Sequence, residues 1–120
     1  MDENKFIGSG ISKRIHGLTS LIGNTPLLEI EFLYKGKPRR IYAKAEYLNM
    51  TGSIKDRMAL YIMKEAYARK TIRPGFRVIE ATSGNTGIAF SAVCRALGHP
   101  VTIFMPGFII PQPDLRSGGN

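Results

Sequence analysis

The fold is decided by residues 78–87, which read VIEATSGNTG. The apolar and β-branched residues at the start of this stretch predict a short strand. The glycines between Thr82 and Gly87 predict a tight turn, and a helix is predicted from Thr86 to Leu97. Because Arg95 is the only charged residue of that helix, we expect the helix to be mostly buried.

A second strand and a second helix flank this unit. Val101–Met105 is a continuous apolar run that predicts a strand, and Gly98 is placed to end the helix before it. Residues 54–69 predict an earlier helix, with Ser53 as its N-cap and Asp56 as the acid of a capping box. The apolar residues on one face of this helix are expected to face the core: Ile54, Met58, Tyr61, Ile62 and Ala66.

Two alternating segments precede these elements. Leu28, Ile30 and Phe32 alternate with glutamates, which predicts a half-buried strand, and a second alternation runs through residues 41–46 to complete a hairpin. The order strand, helix, strand, helix, strand predicts an α/β fold with a parallel sheet and flanking helices. Ligands in such folds gather beyond the carboxyl ends of the strands, where residues 82–87 would lie.

The two ends of the chain lack periodicity. Residues 1–17 are predicted to form a mobile arm, since Gly, Ser, Asn and charged residues are mixed there. Residues 107–120 form a tail with neither helix nor strand pattern, although Phe108, Ile109 and Ile110 are apolar. We therefore expect the folded part to lie within residues 18–106.

Composition limits the class of protein. A chain of 120 residues has room for one domain, and its 43% hydrophobic and 22% charged residues are typical of globular proteins. The 17 Lys and Arg against 9 Asp and Glu give a net charge of +8. The densest basic run lies at residues 35–40, which we interpret as a solvated hairpin tip, and we expect no nucleic-acid binding.

Other residue types exclude further classes. No apolar run approaches the roughly 20 residues that cross a bilayer, so we expect a cytoplasmic protein with no membrane partner. Cys94 is the only cysteine and rules out an internal disulfide. His16 and His99 lie far apart, so no metal site is expected. Cys94 shares a helical face with Phe90 and is interpreted as a core residue.

The turn at residues 82–87 could bind an anion. Free backbone N–H groups, hydroxyl groups and the positive end of the helix dipole converge there, and together they favour a carboxylate or a phosphate. The spacing does not fit a Walker A loop or a dinucleotide-binding loop, because Gly84 and Gly87 are only three residues apart. A purely structural turn that uses glycine and a capping side chain remains an alternative.

Lys55 breaks a local rule of charge placement. It lies in the first turn of a predicted helix, where the positive end of the dipole disfavours an ammonium group. A lysine in that field is biased toward the neutral amine, which is the form that attacks an aldehyde to make a Schiff base. An ordinary surface lysine, with its head group in water, remains the alternative.

Several motifs taken together resemble the cysteine synthase (O-acetylserine sulfhydrylase) and cystathionine β-synthase family of pyridoxal-phosphate enzymes, which have fold type II, the tryptophan synthase β-like architecture. The resemblance runs from about Leu18 to Pro106 and would make residues 18–106 the N-terminal portion of such an enzyme. The stretches that carry it are IGNTPL at 22–27, AKAE at 43–46, GSIKDR at 52–57, EATSGNTGIA at 80–89 and MP at 105–106.

The resemblance implies roles for individual residues. Lys55 would bind the aldehyde of pyridoxal 5′-phosphate and move protons at the substrate Cα. Asn85 would hydrogen-bond the 3′-oxygen of the cofactor and, with Thr82, Ser83 and Thr86, bind the α-carboxylate of an amino-acid substrate. The implied reaction is a β-replacement on an activated serine, namely cysteine synthesis from O-acetyl-L-serine and sulfide. Thr86 favours this reaction over deamination, since the related dehydratases carry histidine there.

The sequence also departs from that family. Family members are more than twice as long, are usually homodimers, and bind the cofactor phosphate through a later glycine- and threonine-rich loop that is absent here. The resemblance stops at Pro106, which suggests a truncated portion of such an enzyme. Two alternatives therefore stay open: a cystathionine β-synthase-like lyase, or an inactive fragment that folds, binds little cofactor and exposes an apolar surface.

Overall fold

The computed structural model describes residues 9–107. Its helices are α1 (Ser9–Leu21), α2 (Lys55–Ala68) and α3 (Asn85–Leu97), with a short 3-10 helix at Glu46–Leu48, and its strands are β1 (Leu27–Tyr34), β2 (Lys37–Lys44), β3 (Val78–Ala81) and β4 (Val101–Phe104). Within these residues no helix is both long and apolar enough to cross a membrane.

The strands form two separate pairs. β1 and β2 are antiparallel, and the turn between them places Lys35 and Gly36 at φ values of 52° and 72°, as a two-residue hairpin turn requires. β3 and β4 are parallel, with Val78 opposite Val101. The predicted hairpin and the predicted parallel pair are both confirmed. Within residues 9–107 β2 pairs only with β1 and β3 pairs only with β4, so the expectation of one layer that includes all three strands is wrong.

The core lies where the three helices meet. α3 contributes five of the twelve buried residues of this core, more than either other helix, and Cys94 among them is fully buried, as the sequence predicted. Burial raises the pKa of the Cys94 thiol to about 11, which keeps the thiol protonated at neutral pH. Gly98 ends α3 in the left-handed conformation at φ 90°, so the predicted helix end is also confirmed.

The buried face of α2 differs from the predicted one. Ile54 and Tyr61, which were expected in the core, are 54% and 64% exposed, and Met58 and Ile62 are exposed as well. The face that packs against α1 and α3 instead carries Asp56, Ala59, Leu60, Met63 and Tyr67. α2 has apolar residues on two sides, so periodicity alone could not show which side meets the core.

The hairpin is more exposed than the alternation predicted. Leu28, Ile30 and Phe32 are 39%, 41% and 41% exposed, so the expectation of a half-buried strand is wrong in this structure. Within the described part of the chain, β1 and β2 pack against each other and against no other helix or strand. Their apolar side chains consequently lack the covering layer that the sequence pattern predicted.

The predicted arm contains a helix. Residues 9–17 belong to α1, so the expectation of an irregular arm is wrong over that range, and residues 1–8 lie outside the described residues. Ile11 and Leu18 are buried seven positions apart, which is a helical repeat. Gly10 and Gly17 weaken the helix signal, which explains why the pattern was missed. The tail beyond Gly107 also lies outside the described residues.

A buried polar pair ties α2 to the segment before β4. The Tyr67 hydroxyl lies 2.6 Å from Nε2 of His99, and Nδ1 of His99 lies 2.7 Å from the carbonyl oxygen of Phe76. Because a carbonyl only accepts, Nδ1 carries a proton and donates to Phe76, and in the neutral ring Nε2 accepts from Tyr67. Burial raises the pKa of Tyr67, which keeps its hydroxyl protonated as the donor.

We predict that Tyr67→Phe destabilises the chain by about 1–3 kcal/mol, since it leaves the buried Nε2 of His99 without a partner. Tyr61→Phe on the same helix is the matched control, and with Tyr61 64% exposed its effect should stay within about 0.5 kcal/mol. Urea unfolding of the two variants measures both values. Equal stabilities would show that the Tyr67–His99 contact contributes nothing.

Candidate active site

The turn at residues 82–87 connects the carboxyl end of β3 to α3. The Thr82 N–H donates to the carbonyl oxygen of Phe104 at 2.9 Å, which extends the pairing of β3 with β4 by one residue. The Gly84 N–H lies 3.4 Å from Oγ1 of Thr82, and the Gly84 carbonyl accepts from Gly87 N–H at 3.0 Å and from Ile88 N–H at 3.4 Å. These contacts fix both the turn and the first turn of α3.

The first residues of α3 leave hydrogen-bond donors free. Within residues 9–107, the backbone N–H groups of Asn85 and Thr86 donate to no other group of the protein. The side chains of Ser83 and Asn85 are exposed, and Thr86 is half-buried. Unsatisfied N–H groups and the positive end of a helix dipole favour an anion. The free donors that the sequence predicted at this turn are present, and anion binding by them stays a prediction.

Two open grooves meet at this turn. The larger, about 640 Å³, runs along α3, and the smaller, about 450 Å³, lies at the ends of β3 and β4. Both are lined by Thr82, Ser83 and Met105. The grooves lie beyond the carboxyl ends of the parallel strands, which is where the fold class places a ligand.

Lys55 is the first residue of α2, and its side chain is exposed. The N-cap position falls on Ile54 and not on Ser53 as predicted, although Oγ of Ser53 accepts from the Lys55 N–H at 3.2 Å. The predicted capping box is wrong, because the Asp56 carboxylate accepts from the N–H and hydroxyl of Thr51. The prediction that α2 begins at or next to Lys55 is confirmed.

The predicted site residues fall into two groups. Thr82 and Ser83 line both grooves, and Asn85 and Thr86 follow them at the start of α3. Lys55 lines neither groove, and no hydrogen bond or ion pair described for residues 9–107 joins it to the turn. The structure thus brings four of these residues together and places Lys55 at the start of a second helix, which packs against α3.

A polar network beside Lys55 was missed by the sequence analysis. Nε and Nη2 of Arg57 donate to the two carboxylate oxygens of Glu46, each at 2.8 Å, and Nη2 also donates to Oγ1 of Thr25 at 3.0 Å. Asn49 donates to Glu46 at 2.7 Å and accepts from the Gly23 N–H at 2.8 Å. Gly23, Thr25, Glu46 and Arg57 occur in the quoted motifs and Asn49 lies between two of them. The three motifs are separate in sequence, and spacing gives no sign of their contact.

The network lowers the pKa of Glu46 to about 2. The main cause is the hydrogen bond from Arg57, and a hydrogen bond from Thr25 adds to it. A carboxyl group with a lowered pKa stabilises the folded state above its ordinary value of 4.5, and this stabilisation is lost as pH falls from 4.5 to about 2.

We therefore predict that Glu46→Gln is less stable than the unaltered chain at neutral pH, and that the difference shrinks as the pH falls from 4.5 toward about 2. Urea midpoints across this range measure the difference. Glu31→Gln is the control, because the Glu31 side chain is 69% exposed in a surface ion pair. A pH-independent difference at Glu46 would contradict the predicted linkage.

The comparison with known protein families shows which family the chain belongs to. The model of the family described as "Pyridoxal-phosphate dependent enzyme" matches residues 18–113, which is most of the chain. The chain belongs to this family. The resemblance inferred from the motifs is confirmed, and the match extends beyond Pro106. Pyridoxal 5′-phosphate is accordingly the cofactor of the family to which the chain belongs.

Individual relatives add detail. Cysteine synthase 1 of Emericella nidulans is 48% identical over 92 residues, which cover 77% of this chain and 25% of the relative. A hydrogen sulfide-producing enzyme from Fusobacterium nucleatum is 55% identical with a TM-score of 0.78, over 82% of this chain and 30% of that one. Cysteine synthase from Entamoeba histolytica is 38% identical with a TM-score of 0.63, over 73% and 27%.

These relatives confirm the α/β architecture of fold type II pyridoxal-phosphate enzymes. The chain spans about a quarter of the length of the curated relatives it matches.

The residues present fit the family cofactor in two respects. Lys55 offers an exposed primary amine, which can bind an aldehyde carbon. Asn85 offers an exposed amide beside free backbone donors, which suit a ring oxygen and a carboxylate. Metal chemistry was not expected, and no group of His, Cys, Asp and Glu within the described range could hold a metal ion.

Proposed function

We propose that this chain supplies part of the active site of a pyridoxal-phosphate-dependent β-replacement enzyme, which makes L-cysteine from O-acetyl-L-serine and sulfide. The observation that carries the proposal is the turn at residues 82–87, where Thr82 and Ser83 line two open grooves and free backbone donors follow at the start of α3. Its relation to substrate is supported by the 48% identity with a cysteine synthase over 77% of the chain.

In this proposal the turn binds the amino-acid substrate. The N–H groups of Asn85 and Thr86 and the hydroxyls of Thr82 and Ser83 donate to the two oxygens of the α-carboxylate. A carboxylate held at two points has a fixed orientation, which positions Cα and Cβ of the substrate for reaction. Asn85 also donates to the 3′-oxygen of the cofactor.

Lys55 is the proposed catalytic residue. Its ε-amine holds the cofactor at the aldehyde carbon, and once free it takes the proton from the substrate Cα. Pyridoxal phosphate, when bound, supplies an electron sink that stabilises negative charge at Cα. Overall the C–O bond at Cβ breaks, acetate leaves with the bonding electrons, and sulfide forms the new C–S bond. O-acetylserine and hydrogen sulfide thus give cysteine and acetate.

A second candidate is the release of hydrogen sulfide from a thiol-bearing amino acid. It is favoured by the 55% identity with the hydrogen sulfide-producing enzyme of Fusobacterium nucleatum. The identities with the cysteine synthases of Emericella nidulans and Entamoeba histolytica are lower, at 48% and 38%. The same carboxylate-binding turn and the same lysine would serve both reactions. The two differ in whether sulfide enters or leaves at Cβ. When sulfide leaves with the electrons of the C–S bond, a nucleophile such as water or a second thiol forms the new bond at Cβ.

We further propose that turnover requires polypeptide beyond these 120 residues. The chain spans about a quarter of its relatives, and apolar side chains of α2 and the hairpin, such as Ile54 and Phe32, are exposed. These surfaces match the expectation for an incomplete enzyme, which was one of the alternatives from the sequence. A homodimer of the complete enzyme remains part of this proposal.

The remaining partner is proposed to be the small-molecule amino acid alone, without nucleic acid or membrane. At the basic hairpin, Arg40 is paired with Glu29 and Glu31 at 2.9 Å each, which reduces the positive field available to a polyanion. We propose the cytoplasm as the compartment, because Cys94 is a free, buried thiol.

A chimera tests the function. Residues 18–106 would replace the matching region of the cysteine synthase of Emericella nidulans, and the isolated 120-residue chain would be assayed beside it. We expect the chimera to form cysteine from O-acetylserine and sulfide. Faster sulfide release from cysteine would favour the second candidate, and cystathionine from serine and homocysteine would favour a cystathionine β-synthase-like lyase. A folded, cofactor-loaded chimera that catalyses none of these reactions would contradict the proposed function and the second candidate.

A further inference from the structure

The turn that precedes Lys55 is held by a buried acid. Asp56 is fully buried, at 0% exposure, although it is the neighbour of the exposed Lys55. Oδ2 of Asp56 accepts from the Thr51 N–H at 2.6 Å, and Oδ1 accepts from the Thr51 hydroxyl. Both carboxylate oxygens are therefore used to bind one residue at the far end of the turn.

The turn between these residues is also closed internally. The Gly52 N–H donates to the carbonyl of Asn49 at 2.9 Å, with Gly52 at φ 90°, where a side chain would be strained. Ser53 accepts from the Lys55 N–H at 3.2 Å through its hydroxyl and from the Asp56 N–H at 3.4 Å through its carbonyl. Few backbone groups of the turn remain free to rearrange.

The two side chains that follow Lys55 are both bound by other residues. Asp56 points into the protein, and Arg57 is bound by Glu46 through two hydrogen bonds of 2.8 Å. The chain therefore anchors the two residues that follow Lys55 and leaves the lysine itself exposed. An anchored backbone limits the directions that the Lys55 side chain can take.

We propose that Asp56 is a positioning residue for Lys55, an inference that rests on the proposed role of Lys55 in holding the cofactor. Through Thr51, Asp56 fixes the turn and makes α2 begin at Lys55. It touches neither cofactor nor substrate and acts through the backbone. Alanine has no side-chain acceptor, so Asp56→Ala removes both contacts with Thr51 and releases one end of the turn.

Reduction with borohydride in the presence of pyridoxal phosphate tests this proposal on the full chain. Peptide mapping then gives the ratio of pyridoxyl label on Lys55 to label on Lys64, an exposed lysine of the same helix. We expect Asp56→Ala to lower this ratio by about tenfold or more in folded protein, since small misplacements of a reacting group have large effects. Circular dichroism confirms that the variant is folded.

Two variants of Thr51 keep the test decisive if Asp56→Ala does not fold. Thr51→Val loses the hydroxyl contact and should lower the ratio, whereas Thr51→Ser keeps both donors and should restore it. Loss of structure alone would change the labelling of both lysines together. Unaltered chain labelled on Lys55, with the same ratio in a folded Asp56→Ala or Thr51→Val variant, would overturn the positioning role and leave the proposed function standing. Absence of label on Lys55 in both the unaltered chain and the chimera would overturn both.

Discussion

Lys55→Ala is expected to abolish covalent attachment of pyridoxal phosphate while leaving the fold intact. The exposed Lys55 amine is the proposed attachment point, and alanine cannot form the bond. Lys55 makes no side-chain hydrogen bond or ion pair among those described for residues 9–107, so the free energy of unfolding should change by less than about 0.5 kcal/mol. The visible absorption that appears on addition of pyridoxal phosphate measures attachment, and urea unfolding measures stability.

The matched control for this substitution is Lys64→Ala. Lys64 is exposed on the same helix and has no proposed role. This variant should keep the absorption of the unaltered chain. Equal absorption in Lys55→Ala and the unaltered chain would show that another amine binds the cofactor.

Gly87→Ala is expected to destabilise the chain and disturb the turn at residues 82–87. A Cβ at position 87 would lie 2.6 Å from the Thr82 methyl carbon and 3.2 Å from Cγ2 of Ile103. Both neighbours are β-branched and stiff, so one of them must move, and such overpacking costs about 1–3 kcal/mol. Because Thr82 is a proposed ligand of the substrate carboxylate, its displacement should also weaken substrate binding in the chimera.

A second substitution separates the steric cause from other effects. Thr82→Ser removes the methyl group that the new Cβ would meet, so the Gly87→Ala/Thr82→Ser variant should recover much of the lost stability. Gly17→Ala is the control, because nothing lies within 4 Å of its added Cβ in the interior of α1, and it should stabilise by about 0.5–1 kcal/mol. Urea midpoints of these variants give the comparison. No recovery in the double variant would contradict the proposed clash.

The sequence predicted most of the individual elements because their signals are local. α3 ends at Leu97 as predicted and begins within one residue of Thr86, since an apolar helix lies between a glycine-rich turn and Gly98. The hairpin was predicted from alternation and a polar link. What failed depends on contacts between distant residues. Periodicity could not choose the buried side of α2, where Met63 is buried and Met58 is exposed.

The predicted site shows the same division. Glycines and hydroxyls adjacent in sequence marked the turn, and the structure keeps Thr82 and Ser83 together at the grooves. The partners of Glu46 were not predicted, because Thr25 and Arg57 are 21 and 11 residues from it and only the fold brings them together. The predicted capping box between Ser53 and Asp56 is wrong because the Asp56 carboxylate accepts from the Thr51 N–H instead.

The most direct test of the account is mass spectrometry of the chain after incubation with pyridoxal phosphate and reduction with borohydride. The account predicts that the pyridoxyl group is concentrated on the peptide that contains Lys55, with other exposed lysines such as Lys44 and Lys64 labelled far less. Label spread evenly over the exposed lysines, or concentrated on one other than Lys55, in both the 120-residue chain and the chimera would contradict it.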